Sequence, residues 1–447
     1  MRLTSIPYLG RASEGFDALL RRPSGPGDQV AKTGEPMKGF ATKAIHGAAL
    51  KKDVHGTLRM PVYDSVAFEH ESAEDMQAAF EGRLAAHSYS RISNPTIEDY
   101  EQRMRLLSDA LGVIAVSSGM AAISNVIMAL AEMGTNIVTS RSLFGNTYSL
   151  FESTLRPWGL DINYVDLSDG NALAAAINEN TRAVFLETIT NPQLQVVDVE
   201  SVARVAHAQN VPVVVDGTVT SPYLFRSKDF GADLEVMAST KYISGGATSV
   251  GGLILDYGVF NWRHNPKIAP WVAKYKANAL LAWLRAEVYR NLGACLSPHN
   301  AYLQTLGLET LSLRAQRSCD NALAVAQYLE ARQEKVRAVS YPGLPSSKFY
   351  HIAVRQFPRG FGGILTFDLA GKDECFAFMK SLRLIRRATN INDNKTLILH
   401  PASTIYCEYS PVEKEGMGVS ESMLRLSVGI EDAADIIEDI ELGFSGL

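Results

Sequence analysis

Between about residues 110 and 260 the sequence alternates short apolar β-rich runs with amphipathic helical stretches, and this rhythm restricts the possible folds more than any other feature. The runs are VIAVS, NIVTS, RAVFLE, VPVVVD, LEVMAS and GGLIL, with MAAISNVIMALAEM and ESVARVAHAQ among the helical stretches between them. VPVVVD is apolar throughout, as befits a strand covered by helices on both faces. Strands and helices in this order predict a central, mostly parallel sheet. Ligands of such sheets gather beyond the carboxyl ends of the strands. The polar residues that end the runs, Ser118, Glu187, Asp216 and Lys241, are therefore the first candidates for chemistry.

The remainder of the 447 residues allows two or three domains. After about residue 300, LETLSLRAQRSCDNALAVAQYLEARQ predicts one long helix, followed by the sparser strands GGILTFDL, TLILH and MLRLSVGI: a smaller α+β domain. Residues 37 to about 100 are rich in turn formers and lack a core of their own, as a segment that packs on another subunit would. The stretch RRPSGPGDQ reads as linker. The expected division is an N-terminal extension (1–36), an arm touching a neighbouring subunit (37–100), a large domain (101–297) and a small C-terminal domain (298–447).

Composition excludes several functions. A formal net charge of -5 without long runs provides no basic footprint for nucleic acid, and no apolar stretch is long enough to span a bilayer. The four cysteines form no CxxC pair, and the nine histidines show no metal spacing, so neither a disulfide framework nor a metal is expected. The first residues contain no signal-peptide core, and a reducing cytoplasm fits best.

Three candidates then converge. The turn SSGMAA follows a strand and opens a helix, aiming the N–H groups of Gly119 and Met120 at an anion such as phosphate. Asp216 closes VPVVVD, where a carboxylate must be solvated, capped or paired with a protonated pyridine nitrogen. Lys241 follows the next run, ahead of the glycine-rich SGGATSVGG. Each alone has a plain reading: an ordinary turn, a strand-end cap, a surface lysine. Together they have the order that a pyridoxal phosphate (PLP) site needs.

At these positions, and in SYSRISNPT, LFGNTY, ETITNPQL, VDGTVTSPYL, STKYISGG, LSPHNAYLQTLGLETLSLR, YPGLPSS, KTLILHPAS and LRLSVGIED, the chain resembles the Cys/Met-metabolism family of PLP enzymes from about Gly39 onward. Within it, GLETLSLR, YPGLPSS and KTLILHPAS are most similar to O-acetylhomoserine sulfhydrylases. The resemblance implies the aminotransferase-like α/β architecture of fold type I and PLP carried on Lys241, with Asp216 facing the ring nitrogen. It implies Asn191 near the ring's phenolic oxygen, and Ser118, Gly119, Met120, Thr218, Ser239 and Thr240 around the cofactor. Tyr89 and Arg91 would reach the phosphate from a neighbouring subunit of a homotetramer built from dimers. Arg425 would grip the substrate carboxylate, with Asn390 and Asn191 beside it. The implied reaction is γ-replacement on an O-acylated homoserine by a sulfur nucleophile, a thiol or sulfur on a carrier protein included. A γ-lyase and a PLP-binding protein without turnover are the rivals.

The chain departs from the family around these anchors. Phe144 stands where a ring-stacking tyrosine is usual, and Gly217 where VDNT has asparagine. Ala238 replaces a serine that Ser239 would compensate. Ser244, Gly246 and Ala247 alter a GGHG run, and Asn392 replaces a turn glycine. The small residues Gly217, Ala238 and Gly246 suggest a widened mouth suited to a bulky sulfur donor. His400 reads as structural.

Overall fold

The computed structural model describes residues 39–47 and 53–447; the extension expected over 1–36 lies outside the described residues. The larger sheet contains β1 (Gly112–Val116), β2 (Asn136–Thr139), β3 (Asp161–Tyr164), β4 (Thr181–Glu187), β5 (Val213–Asp216), β6 (Leu234–Met237) and β7 (Gly252–Asp256), in the order β1-β7-β6-β5-β4-β2-β3. β7 runs antiparallel to both its neighbours, and the remaining pairs are parallel. The mostly parallel sheet matches the sequence pattern, with two differences. β3 is half-exposed at the sheet edge, so its sequence DINY carries no apolar run. The helix Pro95–Ser108 runs without a break across residue 100, where the arm was expected to end.

Both faces of this sheet are buried. Val113, Val184, Val213 and Leu255 face one core, and Ile114, Ile137, Phe185 and Ile254 the other, as apolar strands between helical layers require. The second sheet has the order β10-β11-β12-β9-β8, built from β8 (Ala338–Ser340), β9 (Ile364–Asp368), β10 (Arg386–Arg387), β11 (Leu397–Leu399) and β12 (Met423–Ser427). It forms the smaller α+β unit.

The long helix expected before this sheet is Leu311–Glu330, and a second helix precedes it. Pro298–Glu309 ends at Thr310, and Leu311–Glu330 continues from it. Near the junction, a Cβ on Gly307 would lie 2.0 Å from Ile243 O, so the loop after Lys241 packs directly on the first helix. Arg314 secures the junction by donating to Tyr242 O and Gly307 O, each at 2.7 Å. The arm has little packing of its own, and Val54, Leu58, Val66, Met76 and Phe80 are exposed.

Candidate active site

The parallel strands deliver their last residues to one edge of the sheet. Glu187 ends β4 and Asp216 ends β5, and the two are register partners. Asp216 Oδ1 accepts from Thr218 N at 2.9 Å, while Thr218 Oγ1 accepts from Ala238 N at 2.8 Å. Thr218 thereby ties the carboxyl end of β5 to the chain leaving β6. Burial raises the Asp216 pKa, and the Thr218 contacts oppose the rise. Burial, and then the charge of Asp216, push Glu187 well above the usual carboxylate range. Burial thus disfavours the charged form of both carboxyls, and the charge of Asp216 adds to the effect on Glu187. Glu187 also accepts from Phe144 N at 2.6 Å, which joins the Phe144 loop to the strand end.

Lys241 begins a short turn, Tyr242–Ser244, beyond β6. Its Nζ donates to Asn390 Oδ1 at 2.7 Å, and Asn390 Nδ2 donates to Asp393 at 3.0 Å. Burial and the nearby Arg425 charge, opposed by Asp393, lower the lysine pKa to about 8, so much of it is the free amine at mildly alkaline pH. Arg425 lies in the middle of β12 and is 2% exposed. Its Nη1 donates to Asn191 Oδ1 at 3.1 Å, and its Nη2 to Thr389 O at 3.0 Å and Asn390 O at 3.2 Å. Burial lowers its pKa to about 10, which leaves it charged at neutral pH. Its Nε has no protein partner. A buried guanidinium held by neutral oxygens is incompletely paired, and a carboxylate would complete it.

Gly119 and Met120 open the helix Gly119–Leu130, and as its first residues they have no intrahelical acceptor for their N–H groups. Ser118 Oγ caps this helix by accepting from Ala121 N at 3.1 Å. Gly119 permits the close approach of the helix to β6, since a Cβ there would lie 2.6 Å from Ala238 Cβ. Thr240 is adjacent, and its hydroxyl both donates to Gly251 O and accepts from Gly251 N. Hydrogen bonds join Lys241, Asn390, Arg425 and Asn191 in one network, and Asp216 ends β5, the strand beside β6. This set fits PLP: a nucleophilic amine, a carboxylate for the ring nitrogen, and free N–H groups for the phosphate.

Two expectations need correction. Ser239 does not stand in for the serine missing at Ala238. It is fully buried, and its Oγ lies 2.8 Å from where a Gly251 Cβ would be, while a Cβ on Gly119 would meet Ala238 Cβ. Nor do the small residues widen the mouth. A Cβ on Gly217 would lie 1.9 Å from Glu235 Oε1, and one on Gly246 would lie 2.3 Å from Asn394 Nδ2. The buried Glu235 and the half-buried Asn394 already fill the room that larger residues would take. Within the chain, Arg91 Nη1 donates to Arg290 O at 2.6 Å, and its guanidinium lies 5.4 Å from the Tyr89 ring centroid.

Asn392 adopts a left-handed φ of 54°, which asparagine tolerates better than most residues, and so replaces the usual glycine without changing the turn. His400 is held by Ser403 Oγ and Glu421 O, both at 2.9 Å, a structural role. Sequence reasoning missed Tyr406, Asp393 and Glu235. Tyr406 and Asp393 follow no strand end or glycine turn, and Glu235 lies inside an apparently ordinary strand, so no local signal marked them.

This architecture and this arrangement of lysine, aspartate and arginine define a fold-type-I PLP enzyme. The chain belongs to the Cys/Met metabolism PLP-dependent enzyme family, whose model matches residues 41–445. It is 37% identical to O-acetyl-L-homoserine sulfhydrylase of Corynebacterium glutamicum, over 92% of this chain and 97% of that protein. It is 36% identical to L-methionine gamma-lyase of Pseudomonas putida, over 91% of this chain and 97% of that protein. A solved structure of O-acetylhomoserine sulfhydrylase from Wolinella succinogenes is similar with a TM-score of 0.71 and 50% identity, covering 79% of this chain and 98% of that one. No described helix is long and apolar enough to cross a membrane.

Proposed function

We propose that this enzyme catalyses γ-replacement on O-acetyl-L-homoserine by a sulfur nucleophile, releasing acetate and forming homocysteine or a related thioether. The observation that carries this reading is the placement of the Lys241 amine on Asn390, whose backbone carbonyl also holds Arg425. A substrate whose carboxylate meets Arg425 has its Cα close to the Lys241 amine. The similarity to two O-acetylhomoserine sulfhydrylases supports O-acetyl-L-homoserine as the substrate.

Lys241 would carry PLP, Asp216 would face its ring nitrogen, and Gly119 and Met120 would donate to its phosphate. PLP, when bound, supplies an electron sink for the pair left when the Cα proton departs. Lys241 takes that proton and is the group available for the proton at Cβ as well. Phe144 has no hydroxyl, and the Tyr406 phenol is committed to backbone carbonyls. Arg425 holds the carboxylate by its fork. The exposed apolar arm suits a surface covered by a second copy of the chain. In the homotetramer so implied, Tyr89 and Arg91 would complete the partner's phosphate site.

The test is product analysis with O-acetyl-L-homoserine, with and without sulfide or methanethiol. Homocysteine or methionine formed only with the donor supports replacement. 2-Oxobutyrate and ammonia formed regardless of donor would favour a γ-lyase, the reading to which the similarity to L-methionine gamma-lyase points.

A further inference from the structure

The segment after β11 turns back across the large domain and settles on the two loops that bear Phe144 and Asn191. Tyr406 is fully buried there. Its single hydroxyl proton lies between two carbonyls on separate loops, Leu143 O at 3.0 Å and Asn191 O at 3.2 Å. Tyr409 adds a bond to Gly145 O at 2.9 Å, and Gln193 Nε2 reaches back to Met417 O at 2.7 Å. The rings of Tyr406, Tyr409 and Tyr148 pack together, in a small core with Ala402, Met417 and Val419. The Leu143–Gly145 loop is therefore pinned from both sides, by Glu187 behind and by Tyr406 in front.

From this geometry we infer that Tyr406 is a positioning residue, which clasps the small domain onto the Phe144 and Asn191 loops and thereby holds the Asn191 amide on Arg425 for the substrate carboxylate. The inference rests on the function proposed above and deepens it. The Asn191 residue that accepts from Tyr406 through its backbone also accepts from Arg425 through its side chain, at 3.1 Å. Releasing the backbone carbonyl frees the loop, and the amide loses its alignment with the guanidinium. The amine and proton chemistry at Lys241 is not touched by Tyr406, so the effect falls on amino-acid binding and not on the chemical step.

Two variants of the PLP-loaded enzyme test this. Tyr406→Phe removes only the hydroxyl. Gly145→Ala loosens the same clasp from the other side, because its Cβ would lie 3.0 Å from Ile405 O. The readouts are KM and kcat for O-acetyl-L-homoserine, the PLP dissociation constant, and binding of L-norvaline, which lacks a leaving group, followed by cofactor absorbance. Tyr406→Phe should raise KM and the norvaline Kd about tenfold, as loss of one buried hydrogen bond does. kcat and the PLP dissociation constant should each move less than about threefold, a binding effect without a chemical one. Gly145→Ala should act in the same direction. Unchanged norvaline binding in both variants overturns the inference, as does a fall in kcat with KM unchanged or a loss of PLP affinity of the same size. If Tyr406→Phe yields no soluble enzyme, Gly145→Ala decides. Norvaline binding is independent of turnover, so a wild type that binds norvaline but fails to convert O-acetyl-L-homoserine refutes the proposed reaction and leaves the clasp open to the same comparison.

Discussion

Gly217 stands in a loop that carries the Asp216 carboxylate, and its missing side chain is the most exacting departure from the family. In Gly217→Ala the new Cβ would meet Glu235 Oε1 at 1.9 Å, Cδ at 2.8 Å and Cγ at 3.3 Å. The obstructing group is the end of a flexible side chain, but it has nowhere to go. Glu235 is 1% exposed, and its carboxyl bonds the hydroxyl of Tyr257, itself 4% exposed. Moving Glu235 aside costs about 1–3 kcal/mol of overpacking. Leaving the Tyr257 phenol buried without its partner adds about 1–3 kcal/mol. The total of about 2–6 kcal/mol corresponds to a fall in Tm of roughly 2–6 °C for a chain of this length. In a Glu235→Val background the obstruction is gone, and the same substitution should cost less than about 1 kcal/mol. The assay is a double-mutant cycle by thermal or urea unfolding of all four proteins. A coupling below about 0.5 kcal/mol would show that Glu235 does not occupy the Gly217 space, and the explanation of this departure would fall.

Other expectations follow from the same contacts. Burial lowers the Lys241 pKa to about 8, so in the cofactor-free protein its nucleophilic free amine accumulates as pH rises through that value. PLP capture measured by stopped-flow absorbance should therefore accelerate between pH 7 and 9 and then level off; a rate that is flat there, or that still climbs above pH 10, contradicts the burial argument. Asp216→Asn removes the carboxylate that would face the ring nitrogen and should lower kcat by about 10²–10³-fold and weaken PLP binding, whereas wild-type turnover would remove Asp216 from the site. Mixing inactive Arg91→Ala and Lys241→Ala proteins, with subunit exchange verified by mass spectrometry, should restore part of the activity if sites are shared across the dimer. Exchange without recovery would confine each site to one chain.

The sequence by itself determined the sheet and the site's anchors, for a local reason. A strand buried on both faces is mostly apolar, so RAVFLE, VPVVVD and LEVMAS announced β4, β5 and β6, and Asp216 and Lys241 stand at or just beyond the carboxyl ends of β5 and β6. The helix after SSGMAA was equally legible, because a serine cap and a glycine are local signals. What needed the tertiary structure was whatever depends on space and on distant partners. β3 could not be read, because an edge strand need not be apolar. A small residue at Gly217 looked like added room until Glu235 was found occupying it; composition records the size of a side chain, while packing decides who fills the gap. Tyr406 contacts partners 263 and 215 residues away, and a hydrogen bond between segments so far apart leaves no periodicity to detect in either of them.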